Sequence, residues 1–329
     1  VDQVTDVHNN PLQLANDGVM RAWIEDPLDN PAHDSAHSDF YNRADRKSAY
    51  MCGSCHDVMT PDGVHLERSF AEWKETIFAA DEIEEQNTCT QCHMPESDGL
   101  AANFDGVPLR KVHDHSFPGV DVAITQWPGK EKQLAAIQKS LDTTLIAQIC
   151  LVEDGLYGPE AHVMLQNVAA GHSFPSGAAH DRRAWVELVA SKGDAVIHSS
   201  GVIKDNAAVA ESPDLDLWLM RDMALKEDGT EAHMFWDVDR TISTLLAGLT
   251  TLHDIDDQGE LIHLPVETRQ VQTYYLPEIP TQISMKVRMR PMALEVLDDL
   301  IDTGDLAPKY RDALPTFDLA GTTLEWNET

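Results

Sequence analysis

Two pentapeptides, Cys52-Gly53-Ser54-Cys55-His56 and Cys89-Thr90-Gln91-Cys92-His93, carry the residues of this chain best suited to chemistry. Each places two thiols three positions apart and an imidazole directly after the second. That pattern is the attachment signature of a c-type haem. Two thiols add across the vinyl groups of one porphyrin, and the next imidazole then reaches the iron from below. Cys52, Cys55, His56, Cys89, Cys92 and His93 are therefore the candidate cofactor-binding residues, with His56 and His93 as metal ligands. The expected cofactors are two covalently bound haem c groups. The same thiols admit two other chemistries. Two Cys-x-x-Cys knuckles can build one tetrahedral zinc site, and a single one can act as a redox dithiol. Neither needs a histidine after the second cysteine, and here it is present both times.

A haem iron has a second axial position, and its occupant decides function. A second imidazole closes the iron for electron transfer, whereas an open position permits substrate chemistry. The chain has 15 histidines to draw on. His115, in His113-Asp114-His115-Ser116-Phe117-Pro118-Gly119, follows the second motif. His172 sits in Gly171-His172-Ser173-Phe174-Pro175-Ser176-Gly177, a loop stiffened by proline. His37, with His33 nearby, precedes the first motif. His37, His115 and His172 join His56 and His93 as candidate metal ligands. Met51, Met59 and Met94 adjoin the motifs and are expected to pack on the ring, with Tyr41, Tyr50, Trp73 and Phe117 as pocket walls. Arg182 and Arg183 beside His180 are the polar groups an open haem would use, although surface charge is the plainer reading. Cys150 lies in an apolar run, Leu145 to Val152, and is expected to be buried and inert.

The elements that must position these residues fall into three stretches. Residues 1–130 hold both motifs among frequent chain breakers, with a helix expected over Glu67–Ala80 from the spacing of Phe70, Trp73, Ile77 and Phe78. Residues 140–290 read as strands: Thr143–Val152, His162–Val168, Arg183–Ser191, Ala195–Ile203, Leu261–Leu264, Val271–Leu276 and Ile283–Met289. Turn residues at Glu153-Asp154-Gly155, Ser191-Lys192-Gly193-Asp194 and Asp256-Asp257-Gln258-Gly259 separate them. Residues 291–329 begin with a helix over Met292–Ile301 behind Pro291. The expected fold class is α+β: an irregular and helical c-type haem-binding region, then a β-sandwich-like domain and a C-terminal helix.

Charge narrows the partners. The 56 acidic and 24 basic side chains give a formal net charge of −32. Phosphate backbones need a basic surface, so nucleic acid is excluded as a partner. Acidic runs such as Asp81-Glu82-Ile83-Glu84-Glu85 read as solvated surface, and the net charge would steer a basic redox partner. No stretch is long and apolar enough to span a membrane. Covalent haem attachment takes place outside the cytoplasm, so a periplasmic or extracellular location is expected of a processed chain.

The ordered series of motifs resembles a broad family of bacterial multihaem c-type cytochromes. The resemblance rests on Tyr50 to Val58, Pro61 to Val64, Leu66 to Trp73, Cys89 to Pro95, His113 to Gly119, Asn167 to Gly177 and Arg183 to Leu188. It implies electron transfer along closely spaced, bis-His-ligated haems, with His115 and His172 as distal ligands. Members of that family carry further haem motifs upstream, which this chain lacks. It therefore reads as the C-terminal part of a larger cytochrome or as a reduced-haem subunit. The expected partners are other cytochromes or redox proteins, including haem-bearing chains of a complex or filament. An electron carrier, rather than an enzyme, is the first reading. A reductase of nitrogen or sulfur oxyanions, or a peroxidase, with one open iron is the second. No catalytic side chain is assigned.

Overall fold

The computed structural model describes residues 8–12, 14–29, 33–80, 86–255, 258, 261–266 and 268–328. The segment before His8, the acidic run Asp81–Glu85 and most of the turn Asp256–Gly259 lie outside them.

Alternation of apolar and polar side chains builds the larger part of the molecule. Along the chain the elements are β1 (Val19–Ala22), β2 (Asp34–His37), α1 (Ala49–Gly53), β3 (Val58–Met59), β4 (His65–Glu67), α2 (Ser69–Lys74), α3 (Cys89–His93), β5 (Glu96–Leu100), β6 (Leu109–His113) and α4 (Lys130–Thr144). There follow β7 (Leu145–Gly155), β8 (Gly158–Asn167), β9 (Arg183–Lys192), β10 (Ala195–Ser200), β11 (Leu219–Met220), β12 (Asp222–Leu225), β13 (Arg240–Ser243), β14 (Thr250–Ile255), β15 (Leu261–Val266), β16 (Arg269–Tyr275), β17 (Gln282–Arg290), α5 (Leu294–Asp302) and β18 (Phe317–Asn327).

Two antiparallel sheets dominate. One has three strands in the order β16-β8-β7. The other has five, in the order β10-β9-β17-β18 with β11 on β9. Every second residue of β8 (Ala161, Val163, Leu165), β9 (Ala184, Val186, Leu188, Ala190) and β17 (Ile283, Met285, Val287, Met289) is buried. Those rows meet in one core, as strands with one wet face must. Burying each Val, Leu, Ile or Met of these rows stabilises the fold by about 1.5–3 kcal/mol. Helix α4 adds Ile137 and Leu141 to the same core, and α5 packs Leu294 and Leu297 against Ala208.

The expected irregular and helical haem-binding region is not what the structure shows. Open β-sheets dominate the fold, and the first 130 residues contain strands as well. β1 pairs with β2 in parallel, while β3 pairs with β4 and β5 with β6 in antiparallel fashion. The helices there are one or two turns long. The helix expected over Glu67–Ala80 is α2 alone, followed by a 3-10 turn over Ile77–Ala79. Thr76, 3% exposed, donates its hydroxyl to Trp73 O and so stops the helix. Cys150 is also corrected. On β7, an edge strand, the side chains alternate, and Cys150 shares the outward row with Ile146 and Gln148.

Candidate functional site

Each Cys-x-x-Cys-His run folds as a single helical turn, which brings its first and last members onto one side. Cys52 lies in the last turn of α1, and its carbonyl accepts from the backbone N–H of Cys55 (3.1 Å) and of His56 (2.9 Å). Cys89 to His93 form α3, which starts with a capping box: Thr88 N donates to Gln91 Oε1 (2.7 Å), and Thr88 Oγ1 accepts from Gln91 N (3.4 Å). These two bonds satisfy amide groups that a helix start leaves open.

An aromatic wedge places the two turns side by side. Phe70 and Trp73 of α2 are buried with Ala49 and Ala79, and Tyr50 and Cys89 pack around them. Tyr50 meets Phe70 edge to face at 5.2 Å. The ring of Phe70 lies so close under Gly53 that an added Cβ there would stand 2.4 Å from it. A glycine between the cysteines is thus what lets α1 settle on α2.

The packing joins the first thiol of one motif to the first thiol of the other. The neighbouring Cys89 thiol, helped by the charge of His56, outweighs burial and holds the Cys52 thiol down at about 7. The neighbouring Cys52 and burial push Cys89 up. Burial also raises Cys92. Cys55 is exposed, within 3.7 Å of Asn10 Oδ1.

The two motif histidines are held differently. His56 donates Nδ1–H to Glu67 Oε1 at 2.7 Å, and that bond raises its pKa. His93 donates Nδ1–H to the carbonyl of Pro118 at 2.8 Å. Burial first, then the neighbouring His172, lowers its pKa. The rings of His93 and His172 lie 6.5 Å apart between centroids and only 12° from parallel. His172 Nδ1 is tied to Ser173 O at 2.9 Å. Each ring of this pair thus spends Nδ1 on the backbone.

The loop that carries His172 comes from the β part of the molecule and is clasped to α2. Glu72 Oε2 accepts from Ser176 Oγ (2.7 Å) and Ser173 N (3.2 Å), and Ser69 Oγ lies 2.8 Å from Ser176 Oγ. Asn167 Nδ2 donates to His172 O at 2.7 Å. Arg68 reaches Asp222 on β12 at 2.9 Å. None of Glu67, Glu72, Asn167 or Pro118 stood out in the sequence as part of a site. Glu67 Oε1 is aimed at a ring eleven residues earlier, a pairing that only the β3–β4 turn creates.

Other expected ligands have other contacts. His37 packs on Trp23 (4.7 Å) and pairs with Asp39 (3.1 Å), its Nδ1 buried without a partner. His115 bonds the carbonyl of His113 (2.9 Å) and meets Phe117 edge-on (5.9 Å). Among the described residues no second ring contacts His56. Arg182 and Arg183 are buried rather than surface charges. Arg182 forks onto Asp121 (2.8 and 3.0 Å), and Arg183 bonds Glu295 (2.8 Å).

No family model matches the sequence, and no curated protein does. Among solved structures, the chain is similar to a penta-heme cytochrome c552 from Thermochromatium tepidum, with 16% identity and a TM-score of 0.54. The match covers 91% of this chain and 60% of the other. At that identity the likeness shows the fold alone.

These findings correct several expectations. Membership of the multihaem cytochrome family rests on a weak, partial structural match and is not retained. Two haem c groups, bis-His ligation and an electron relay required donors gathered about each iron. Among the described residues, no group of three or more His, Cys, Asp or Glu is placed to hold a metal ion. Among the described residues no second ring stacks on or contacts His56, and the first 130 residues show short helices and strand pairs in place of the expected helical haem-binding region. The haem cofactors and the relay function are therefore withdrawn. No described helix is long and apolar enough to cross a membrane.

Proposed function

We propose that this chain is a binding protein rather than an enzyme, and that its centre is the pair of Cys-x-x-Cys-His turns. Cys52, Cys55, His56, Cys89, Cys92 and His93 are its ligand-contacting residues, with His172 brought in by the clasped loop. The observation that carries the reading is pairing: Cys52 meets Cys89 and His93 faces His172, across segments far apart in sequence. Thiols and imidazoles are soft or borderline donors. Offered in twos, the thiols suit a thiol-reactive ligand, with the imidazoles beside them. Redox proteins with basic faces are the partners that fit a net charge of −32. A periplasmic or extracellular setting belongs to the same proposal.

The test is the chain itself, purified from its native compartment. Intact mass, metal content and the number of cysteines open to alkylation after denaturation would be measured together. Added mass, with protected cysteines at 52, 55, 89 or 92, supports the reading. It should be lost in Cys52→Ser, Cys89→Ser and His93→Ala. Five alkylated cysteines on a chain of unmodified mass without metal would sink it.

A further inference from the structure

The two turns share a sequence pattern, yet their histidines stand in unlike surroundings. His56 donates Nδ1–H to a carboxylate, Glu67 Oε1, at 2.7 Å. That carboxylate is itself steadied by Ser69 Oγ at 3.4 Å. His93 donates to a neutral backbone carbonyl, Pro118 O, at 2.8 Å. A ring that donates to a carboxylate takes on more imidazolate character, and its other nitrogen becomes a stronger donor. A ring that donates to an amide carbonyl gains less. Such outer partners also fix the tautomer and the orientation of the ring.

We infer that Glu67 is a positioning residue that sets His56 apart from His93. It locks the proton of His56 on Nδ1 and leaves Nε2 as the more basic of the two ring donors presented by the centre. The inference rests on the proposed function for its purpose, because a ring held in one tautomer and orientation meets a ligand in one way. The geometry behind it is independent of what binds. Glu67 lies on β4, where the β3–β4 turn pairs it with Val58 and so returns it to the side of His56. Its side chain is one-fifth exposed, against 63% for His56. The carboxylate is thus the fixed member and the imidazole the one that it orients.

The test is nitrogen NMR of the ring atoms in the full chain labelled with 15N-histidine, recorded about two pH units above the ordinary histidine value of about 6.5. In the native sequence His56 should carry its proton on Nδ1. Glu67→Gln, whose amide oxygen still accepts, should keep that tautomer. Glu67→Ala should lose it, shifting His56 toward the Nε2–H form, with His93 unchanged in all three. Native His56 protonated on Nε2, or a tautomer unmoved by Glu67→Ala, overturns the inference. A merely structural glutamate would leave the tautomer indifferent to the Gln and Ala choices. If the centre proves to bind nothing, this result still stands by itself, so the two readings fail separately.

Discussion

At the scale of single residues, the centre is a set of unlike thiols and imidazoles. Cys52, held at about 7 by Cys89, is half thiolate at neutral pH, against about 3% for a thiol near 8.5. Lower basicity makes each thiolate a weaker nucleophile, with a Brønsted slope of about 0.4–0.5. The gain of about sixteenfold in thiolate thus shrinks to roughly threefold in rate. In the unloaded chain at pH 7, Cys52 should be alkylated about three times faster than an ordinary thiol, and Cys89→Ala should abolish that lead. Peptide mapping after brief iodoacetamide treatment reads it; equal rates in both chains would count against the Cys52–Cys89 contact. His93 gives a pH dependence of known sign. Burial and His172 depress its folded pKa. Its contribution to stability is therefore present above the unfolded value of about 6.5 and is lost as pH falls through the lower folded value. Between pH 7 and 5, urea denaturation of the unloaded native chain should show a larger loss of stability than that of His93→Gln. Much of this was legible in the sequence, because the pentapeptides announce their own donors. The pairings were not. They arise from the approach of α1 to α3 and of a β-domain loop to α2, which no local pattern encodes.

At the scale of elements, the seat of α1 on α2 is the contact with the narrowest tolerance. Gly53 faces the ring of Phe70, which is 2% exposed and stacked on Trp73 at 5.7 Å. A methyl group placed 2.4 Å from that ring must displace either the aromatic wedge or the helix. Overpacking of this kind costs about 1–3 kcal/mol. Because alanine is the better helix former by about 1 kcal/mol, Gly53→Ala should show a net destabilisation of up to about 2 kcal/mol in thermal or urea unfolding. A stabilised variant would show that the wedge yields freely. The long strands were readable because their rows alternate over six or more residues. Each of the seven expected strands is a strand here, with ends moved by a few positions. The short pairs β1–β2, β3–β4 and β5–β6 have two to five residues each, too few for alternation to emerge. Helix α4 carries Leu134, Ile137 and Leu141 at helical spacing, a short signal beside its many polar residues. Its last residues run directly into β7, so the apolar run after Thr143 overshadowed them.

At the scale of the whole molecule, charge sets a balance that salt can tip. The excess of 56 acidic over 24 basic side chains makes the folded state repel itself, since folding brings those charges closer than an expanded chain does. Local ion pairs oppose this. Arg68 with Asp222 and Arg288 with Asp318 both have N–O distances of 2.9 Å, and Arg183 with Glu295 lies at 2.8 Å. Screening does not act on the two terms alike. The Debye length is about 10 Å at 0.1 M and about 3 Å at 1 M ionic strength. Added salt therefore removes the long-range repulsion among surface carboxylates first. Close pairs that are mostly buried, such as Arg183 with Glu295, are screened much less. The melting temperature should then rise with sodium chloride, most steeply below about 0.3 M, and flatten beyond. Sucrose, which strengthens burial without screening, separates screening from general stabilisation when run as a parallel series. A melting temperature that falls with salt from the outset would mean that exposed ion pairs outweigh the net charge.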